Sequence, residues 1–198
     1  MLIQYKKSET NKNDNERTIC CTHDSIRRTE KGKSCPLLDQ SDKWLIFSHG
    51  HLDHIGCAEF FRTMYGCKIY LGEPDAKMFK ERPELSAVQD SPSCLYQLFE
   101  PNEVIHDGDV LMFGNTTIQF YLVPGHTEGC VAYFFDITDG KETKRAGYYG
   151  GFGFNTLLKD YLIEIGDPEY KMRKVYLASL KKSKGSACRR IYGKSYDQ

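Results

Sequence analysis

The amino-acid sequence predicts a layered domain of the α/β or α+β class. Short runs of apolar, β-branched and aromatic residues alternate with segments that have helical spacing, and no segment repeats along the chain. The chain has 198 residues, of which 40% are hydrophobic and 27% charged, which is typical of one globular domain. We expect residues 41–182 to form this domain.

The first half of the predicted domain alternates strands with helices. The apolar run Trp44–Phe47 predicts a buried strand, and Cys57–Tyr65 predicts a helix that ends at Gly66. A second strand is expected at Lys68–Leu71, followed by a short helix at Asp75–Glu81.

The second half is richer in strands. Val104–Ile105 and Val110–Phe113 flank a turn at residues 106–108. Two longer runs of β-branched and aromatic residues predict strands, and a further strand and a helix are expected after them. These four elements are Thr116–Val123, Cys130–Ile137, Arg145–Tyr149 and the helix Tyr170–Leu180.

The two ends of the chain are predicted to be irregular. Residues 1–40 are mostly polar, and residues 183–198 form a basic, polar tail. Cys20, Cys21 and His23 lie close together in the first segment, but their spacing matches no known zinc-finger pattern. We therefore do not expect this cysteine cluster to be the main metal site.

Charge and hydropathy limit the classes of partner. Lysine plus arginine equals aspartate plus glutamate at 27 each, so neither nucleic acid nor an anionic membrane is expected as a partner. A small-molecule substrate is expected instead, and the oligomeric state stays open. No apolar run approaches the roughly 18 residues that cross a bilayer. Because the first residues lack the apolar core of a secretory signal, the expected location is the cytoplasm, with reduced cysteines.

A histidine–aspartate cluster directly follows the first predicted strand. It consists of His49, His51, Asp53 and His54, whose side chains are the ligand types that zinc prefers. Histidines two residues apart in an extended segment point to the same side, so His49 and His51 can hold one ion together. Asp53 and His54 can face a second ion. His126, just past a Pro-Gly break at the end of a strand, is the candidate that completes the first site.

These motifs resemble those of the metallo-β-lactamase superfamily. Residues 49–54 are similar to its His-x-His-x-Asp-His signature, Val123–Gly129 is similar to its second metal motif, and Asp107-Gly108-Asp109 looks like its Asp-Gly-Asp hairpin. The resemblance spans roughly residues 44–180. It implies a four-layer αβ/βα sandwich that is incomplete at both termini.

The resemblance also implies a ligand set and a reaction. His49, His51 and His126 would hold a first zinc, and Asp53 and His54 would contribute to a second. A water or hydroxide held by the metal would attack an amide or ester carbonyl, with a β-lactam or a lactone as candidate substrates. Asp53 would orient that water and pass a proton to the leaving group.

Two features depart from the superfamily pattern. No histidine follows His126, although the superfamily has one more near its C-terminus, so we expect one tightly bound zinc and a weak second site. Only 48 residues precede His49, fewer than is usual. The expectation is therefore a chain truncated at both ends, with marginal stability and impaired activity.

A glycine-rich segment at residues 146–156 indicates which class within the superfamily the sequence resembles most. No acidic residue occurs between Lys144 and Asp160, whereas many relatives, such as glyoxalase-type thioesterases, carry a metal-bridging aspartate in this region. Because it lacks this aspartate, the sequence is more similar to the third class of metallo-β-lactamases, subclass B3. The segment is either a flexible loop or a substrate-facing loop, and in the second case the expected contacts are Tyr148, Tyr149 and Asn155.

Alternative functions stay open. A degenerate relative that binds a metal or a partner without turnover also fits the missing histidine. A glyoxalase-type thioesterase or a lactonase is the rival within the enzyme class. A metal-storage or sensor role would require Cys20, Cys21 and Cys35 to bind metal.

Overall fold

Two β-sheets form the centre of the structure. The computed structural model describes residues 2–5, 18–20, 43–86 and 98–191. The strands of the first sheet are β1 (Leu2–Tyr5), β2 (Thr18–Cys20), β3 (Lys43–Ile46), β4 (Lys68–Gly72) and β5 (Glu103–Ile105). Those of the second sheet are β6 (Val110–Phe113), β7 (Thr116–Leu122), β8 (Val131–Thr138) and β9 (Thr143–Tyr149).

The first sheet is mixed, in the order β2-β1-β3-β4-β5, and the second is an antiparallel meander, in the order β6-β7-β8-β9. Strand β1 runs antiparallel to β3, with Leu2 opposite Ile46, whereas β3, β4 and β5 are parallel. Parallel neighbours need crossover connections, which helices usually supply. Helices α1 (Leu52–Ile55) and α2 (Ala58–Tyr65) connect β3 to β4, and α3 (Glu73–Glu81) follows β4.

Successive residues of β3 and just beyond it point alternately to the two faces of the first sheet, and both faces are buried there. Leu45 and Phe47 pack with residues of α2 and α3, whereas Trp44 and Ile46 pack between the sheets against residues such as Phe120. On the far side of the second sheet lies α5 (Lys171–Ile191), which contacts β9, and the short helix α4 (Lys159–Glu164) precedes it in the chain. The order of layers is helix, sheet, sheet, helix. The four-layer prediction is thus confirmed for the described residues.

The predicted helices and strands inside the domain begin and end within two residues of their expected positions, except at the end of the last helix, whereas α1 and α4 were not predicted. Helix α3 begins at Glu73, two residues earlier than predicted, because Pro74 fits the first turn of a helix, where no hydrogen-bonded N–H is needed. No helix in the described part of the chain is both long and apolar enough to cross a membrane.

Two predictions about the ends of the chain are wrong. Strands β1 and β2 lie within residues 1–40, which the polar composition predicted to be irregular. Strands of three or four residues are too short to change the average polarity of such a segment. Helix α5 continues beyond Leu180 to Ile191 because the single glycine in that stretch costs a helix only about 1 kcal/mol. The cysteine cluster at residues 20–23 lies outside the described side chains.

The turn at residues 106–108 also differs from expectation. Its flanking strands do not pair with each other, because β5 belongs to the first sheet and β6 to the second. The turn therefore carries the chain between the sheets. Asp107 fixes it by accepting hydrogen bonds from Leu122 N at 2.9 Å and Lys182 Nζ at 2.6 Å. The antiparallel pairing that the hairpin motif implies occurs one element later, between β6 and β7.

Candidate metal centre

Three histidines meet where strands of both sheets end. His49 and His51 follow β3 of the first sheet, and His126 follows β7 of the second. Backbone hydrogen bonds bring these loops together: Val131 N donates to Ser48 O at 2.9 Å, and Gly150 N donates to Val131 O at 3.0 Å. The two sheets are thus joined directly beside the histidines.

The imidazole rings form a compact triangle. The ring centroids of His49 and His51 are 4.8 Å apart, those of His49 and His126 are 4.8 Å apart, and those of His51 and His126 are 4.5 Å apart. One potential ligand atom of each lies within 4.8 Å of the others. Three histidines with a free fourth position are the ligand set of several catalytic zinc sites.

The hydrogen bonds of the rings fit a metal ion. His49 Nδ1 is 3.0 Å from Ser48 Oγ, while His49 Nε2 is buried and has no hydrogen-bond partner among the described residues. Such an atom costs about 1–3 kcal/mol unless something satisfies it, and a cation beside its lone pair would do so. His126 Nδ1 lies 2.9 Å from Gly153 O, which can only accept. Nδ1 therefore carries the proton, and Nε2 keeps the lone pair that a metal needs.

Burial keeps these histidines neutral in the metal-free protein. Desolvation, followed by the neighbouring imidazoles, holds the pKa of His49 well below 6.5 and lowers the pKa of His51 to about 3. Burial also lowers the pKa values of His54 and His126. Neutral imidazole is the form that binds metal, so the site is ready to bind metal at neutral pH.

The metal-free protein is expected to lose stability in acid. Below pH 6.5 the unfolded chain protonates His49 and His51 while the folded chain keeps them neutral, so the unfolded state binds more protons. The free energy of unfolding then falls by about 1.4 kcal/mol per pH unit for each histidine. Asp75 acts in the opposite direction, since burial raises its pKa from 3.8 to about 6 and the folded chain takes up its proton first.

The stability that the two histidines lose in acid exceeds the stability that one carboxyl group gains. The net free energy of unfolding should therefore decrease from pH 6.5 to pH 4. Urea denaturation in the presence of a chelator, at pH 7, 6 and 5, measures this change. A free energy of unfolding that stays constant or rises as the pH is lowered would show that the histidines are not buried as a neutral cluster.

A second ligand set lies on α1. His49, Asp53 and His54 also offer ligand atoms within 4.8 Å of one another, and Asp53 Oδ2 is 3.5 Å from His54 Nε2. His49 is shared with the first set, and its Nδ1 faces Ser48 Oγ. Among the described residues, Asp53 and His54 therefore remain for a second ion, and the weaker second site stays a prediction.

A cavity of about 360 Å³ opens over the histidines. Tyr148, Tyr149 and Asn155, which the sequence placed near the substrate, all line it, as do Ser86 and Phe152. Phe152 is 64% exposed and was missed, although it lies in the glycine-rich segment that the sequence singled out. No lysine or arginine in the described part of the chain lines this cavity.

Two glycines let the 150–153 loop pack directly on His126. A Cβ atom at Gly151 would collide with Cys130 Sγ and lie 2.7 Å from His126 Cβ, and Gly151 has a φ of +69°. A Cβ atom at Gly153 would lie 3.0 Å from His126 Cε1. The glycines of this segment thus allow close packing against His126, a candidate metal ligand.

A larger cavity of about 730 Å³ lies beside His51 and His126, next to α3 and the segment from α4 to α5. Apolar groups that line it include Met78, Ile165 and Met172. Its lysine and arginine side chains are Lys77, Arg82 and Lys171. Four acidic side chains also line it, those of Glu81, Glu128, Asp167 and Glu169, so the cavity as a whole does not favour an anionic group.

The combination of a four-layer fold and a histidine cluster is also found among known proteins. The family model of the metallo-beta-lactamase superfamily matches residues 43–139, a range that contains both histidine motifs. Residues 43–139 of the chain therefore belong to this superfamily.

Solved structures share this fold. A subclass B3 metallo-beta-lactamase of Bradyrhizobium japonicum is 23% identical and superposes with a TM-score of 0.57, covering 71% of this chain and 52% of that one. A beta-lactamase from Chitinophaga pinensis is 21% identical with a TM-score of 0.59, covering 75% of this chain and 66% of that one. At these identities the likeness establishes the fold.

Curated relatives include metallo-hydrolases. The hydroxyacylglutathione hydrolase GloC of Haemophilus influenzae is 28% identical over 118 residues, which are 59% of this chain and 55% of that protein. A probable metallo-hydrolase of Burkholderia pseudomallei is 27% identical over 99 residues, which are 46% of this chain and 30% of that protein. The chain therefore spans about half or less of the length of these relatives.

Proposed function

We propose that this protein is a zinc-dependent hydrolase that cleaves an amide or ester bond, with a β-lactam or a lactone as candidate substrates. The observation that supports it most directly is the convergence of His49, His51 and His126, with His49 Nε2 buried and unpartnered among the described residues. Zinc in such a site supplies Lewis-acid activation of water and of the scissile carbonyl. One zinc is held tightly, and the second site is weak.

Asp53 moves the proton in this proposal. Its side chain is 68% exposed and lines the cavity beside His54, so it can accept a proton from the attacking water and deliver it to the leaving group. Asn155, on the opposite loop, can donate a hydrogen bond to a substrate carbonyl oxygen.

The lining of the cavity over the histidines favours a neutral reacting group. Tyr148, Tyr149 and Phe152 supply aromatic surface there, and no cation of the described residues does. A glutathione thioester, which carries two carboxylates, would have to place them in the larger cavity near Lys77 and Arg82. This arrangement ranks a lactam or lactone above a glutathione thioester as the substrate.

Hydrolysis of three substrates tests this proposal. Zinc-loaded protein is expected to hydrolyse nitrocefin or an acyl-homoserine lactone faster than lactoylglutathione, and a chelator should remove the activity. Asp53→Asn is expected to lower kcat by about 10²-fold or more, because it loses the proton acceptor. The control is Glu59→Gln, which removes an exposed carboxylate of α2 that pairs with Arg62.

The second candidate function is metal or ligand binding without turnover. It is supported by the absence of any acidic residue between residues 145 and 159, which leaves Asp53 and His54 as the ligands of a second ion. Zinc-loaded protein that hydrolyses none of the three substrates would overturn the hydrolase proposal and favour this one. Faster cleavage of lactoylglutathione would instead favour a thioesterase.

A further inference from the structure

We propose that Asp75 is a positioning residue of the metal centre, whose carboxylate ties the loop of His49 and His51 to the loop of His126. The proposal rests on the metal site proposed above and adds a residue that lies outside both histidine motifs. Asp75 belongs to α3, more than twenty residues from either loop along the chain.

The carboxylate of Asp75 binds both loops at once. Its Oδ2 accepts hydrogen bonds from Gly50 N at 2.7 Å and from Thr127 Oγ1 at 2.8 Å, and its Oδ1 accepts one from Gly129 N at 2.8 Å. Gly50 lies between His49 and His51 in the sequence, and Thr127 directly follows His126. One side chain thus fixes the separation between the backbones that carry all three histidines.

The backbone around Asp75 is packed too closely to allow other side chains. A Cβ atom at Gly129 would collide with Asp75 N, and one at Gly72 would collide with Gly129 O. A Cβ atom at Gly50 would lie 2.8 Å from Phe79 Cε1 and 3.2 Å from Asp75 Cβ. Both histidine loops therefore pack tightly on the first turns of α3, and a shift of either loop would break contacts with Asp75.

A gain in protein stability does not by itself explain why a carboxylate is buried at this position. Asp75 is fully buried, and desolvation raises its pKa to about 6 despite the three hydrogen bonds that lower it. A buried charge is weak evidence for a gain in stability, since an apolar group of the same volume often serves as well. Three directed hydrogen bonds set the distance and orientation between the two loops, and an apolar side chain cannot do this because its contacts have no fixed direction.

The variant Asp75→Asn tests the proposal. Asparagine keeps the shape but replaces one acceptor oxygen with a donor, so at least one of the three N–H and O–H donors loses its partner. The expected result is a 10- to 100-fold weaker affinity for zinc, as for other residues that orient metal ligands. The cobalt(II) form should also show a weaker and shifted visible absorption spectrum, because the ligand geometry is distorted.

The control variant is Ile118→Ala, which opens a cavity in the core between the two sheets, in a cluster of side chains that includes none from either histidine loop. We expect it to lower the melting temperature of the metal-free protein as much as Asp75→Asn or more, with an unchanged cobalt spectrum and zinc affinity. If both variants keep the wild-type spectrum and affinity, Asp75 is only structural and the proposal is wrong.

Two further outcomes remain decisive. If the wild-type protein binds neither zinc nor cobalt, the proposed function fails first and the inference about Asp75 fails with it. If Asp75→Asn does not fold, Thr127→Val removes one donor and leaves the carboxylate in place. A several-fold loss of zinc affinity in Thr127→Val supports the positioning role, and an unchanged affinity overturns it.

Discussion

Substitution of His126 with alanine is expected to abolish tight zinc binding. The wild-type protein should retain about one zinc per chain after dialysis, and the variant should retain almost none. Loss of one of three imidazole ligands should weaken the affinity by on the order of 10²–10³-fold, since zinc sites derive most of their binding free energy from a few ligands. Competition with a chromophoric chelator measures this difference.

The large effect follows from the position of His126. It is the ligand that the second sheet supplies, whereas His49 and His51 come from the first. Its ring is held by Gly153 O at 2.9 Å and Thr156 Oγ1 at 3.1 Å, so the site is organised before the metal arrives. Without His126, two histidines of one loop remain in the first ligand set.

His106→Ala is the matched control for this experiment. His106 is an exposed histidine whose acidic neighbours, Glu73 and Asp109, lie 4.0 and 3.5 Å away. Its removal should leave the zinc content and the affinity unchanged. Should His126→Ala keep one tightly bound zinc, the ion must be held by other groups, and the three-histidine site is wrong.

The candidate ligands of the metal centre could be found from the sequence because four of them are close neighbours. The spacing of His49 and His51 alone predicts that their side chains lie on one side of an extended segment, and Asp53 and His54 follow directly. His126 lies 75 residues beyond His51, yet the Pro-Gly break and the resemblance of its motif identified it. The structure brings these residues together as that pattern predicted.

Other features depend on contacts that no local pattern encodes. Asp75 occurs in a segment that predicts only a short helix, and the role proposed for it emerges only because two loops fold onto the first turns of that helix. The same holds for β5 and β6, whose apolar patterns are alike although they join different sheets. Strands β1 and β2 were missed because β1 is stabilised by pairing with β3, and β2 by pairing with β1, rather than by their own sequences.

The variant Gly151→Ala is expected to weaken zinc binding by 10-fold or more and to destabilise the protein. Gly151 has a φ of +69°, a left-handed conformation that costs a non-glycine residue about 1 kcal/mol. The new methyl group would also collide with Cys130 Sγ and lie 2.7 Å from His126 Cβ. Because Cys130 is fully buried and cannot easily move, the strain should be transmitted to the His126 ring.

Gly66→Ala separates these two effects. Gly66 ends α2 with a φ of +66°, almost the same as that of Gly151, but nothing lies within 4 Å of its Cβ position. Gly66→Ala should therefore lose about 1 kcal/mol of unfolding free energy and keep the wild-type zinc affinity. Gly151→Ala should lose more stability and also lose affinity, as measured by urea denaturation and chelator competition.

Equal losses of unfolding free energy and of zinc affinity in the two variants would contradict the role assigned to Gly151. It would mean that the 150–153 loop can move away from His126 without disturbing the ring. In that case the orientation of His126 would depend on the other side of its loop, where Thr127 and Gly129 bind Asp75. The double variant Gly151→Ala with Asp75→Asn would then lose no more zinc affinity than Asp75→Asn alone.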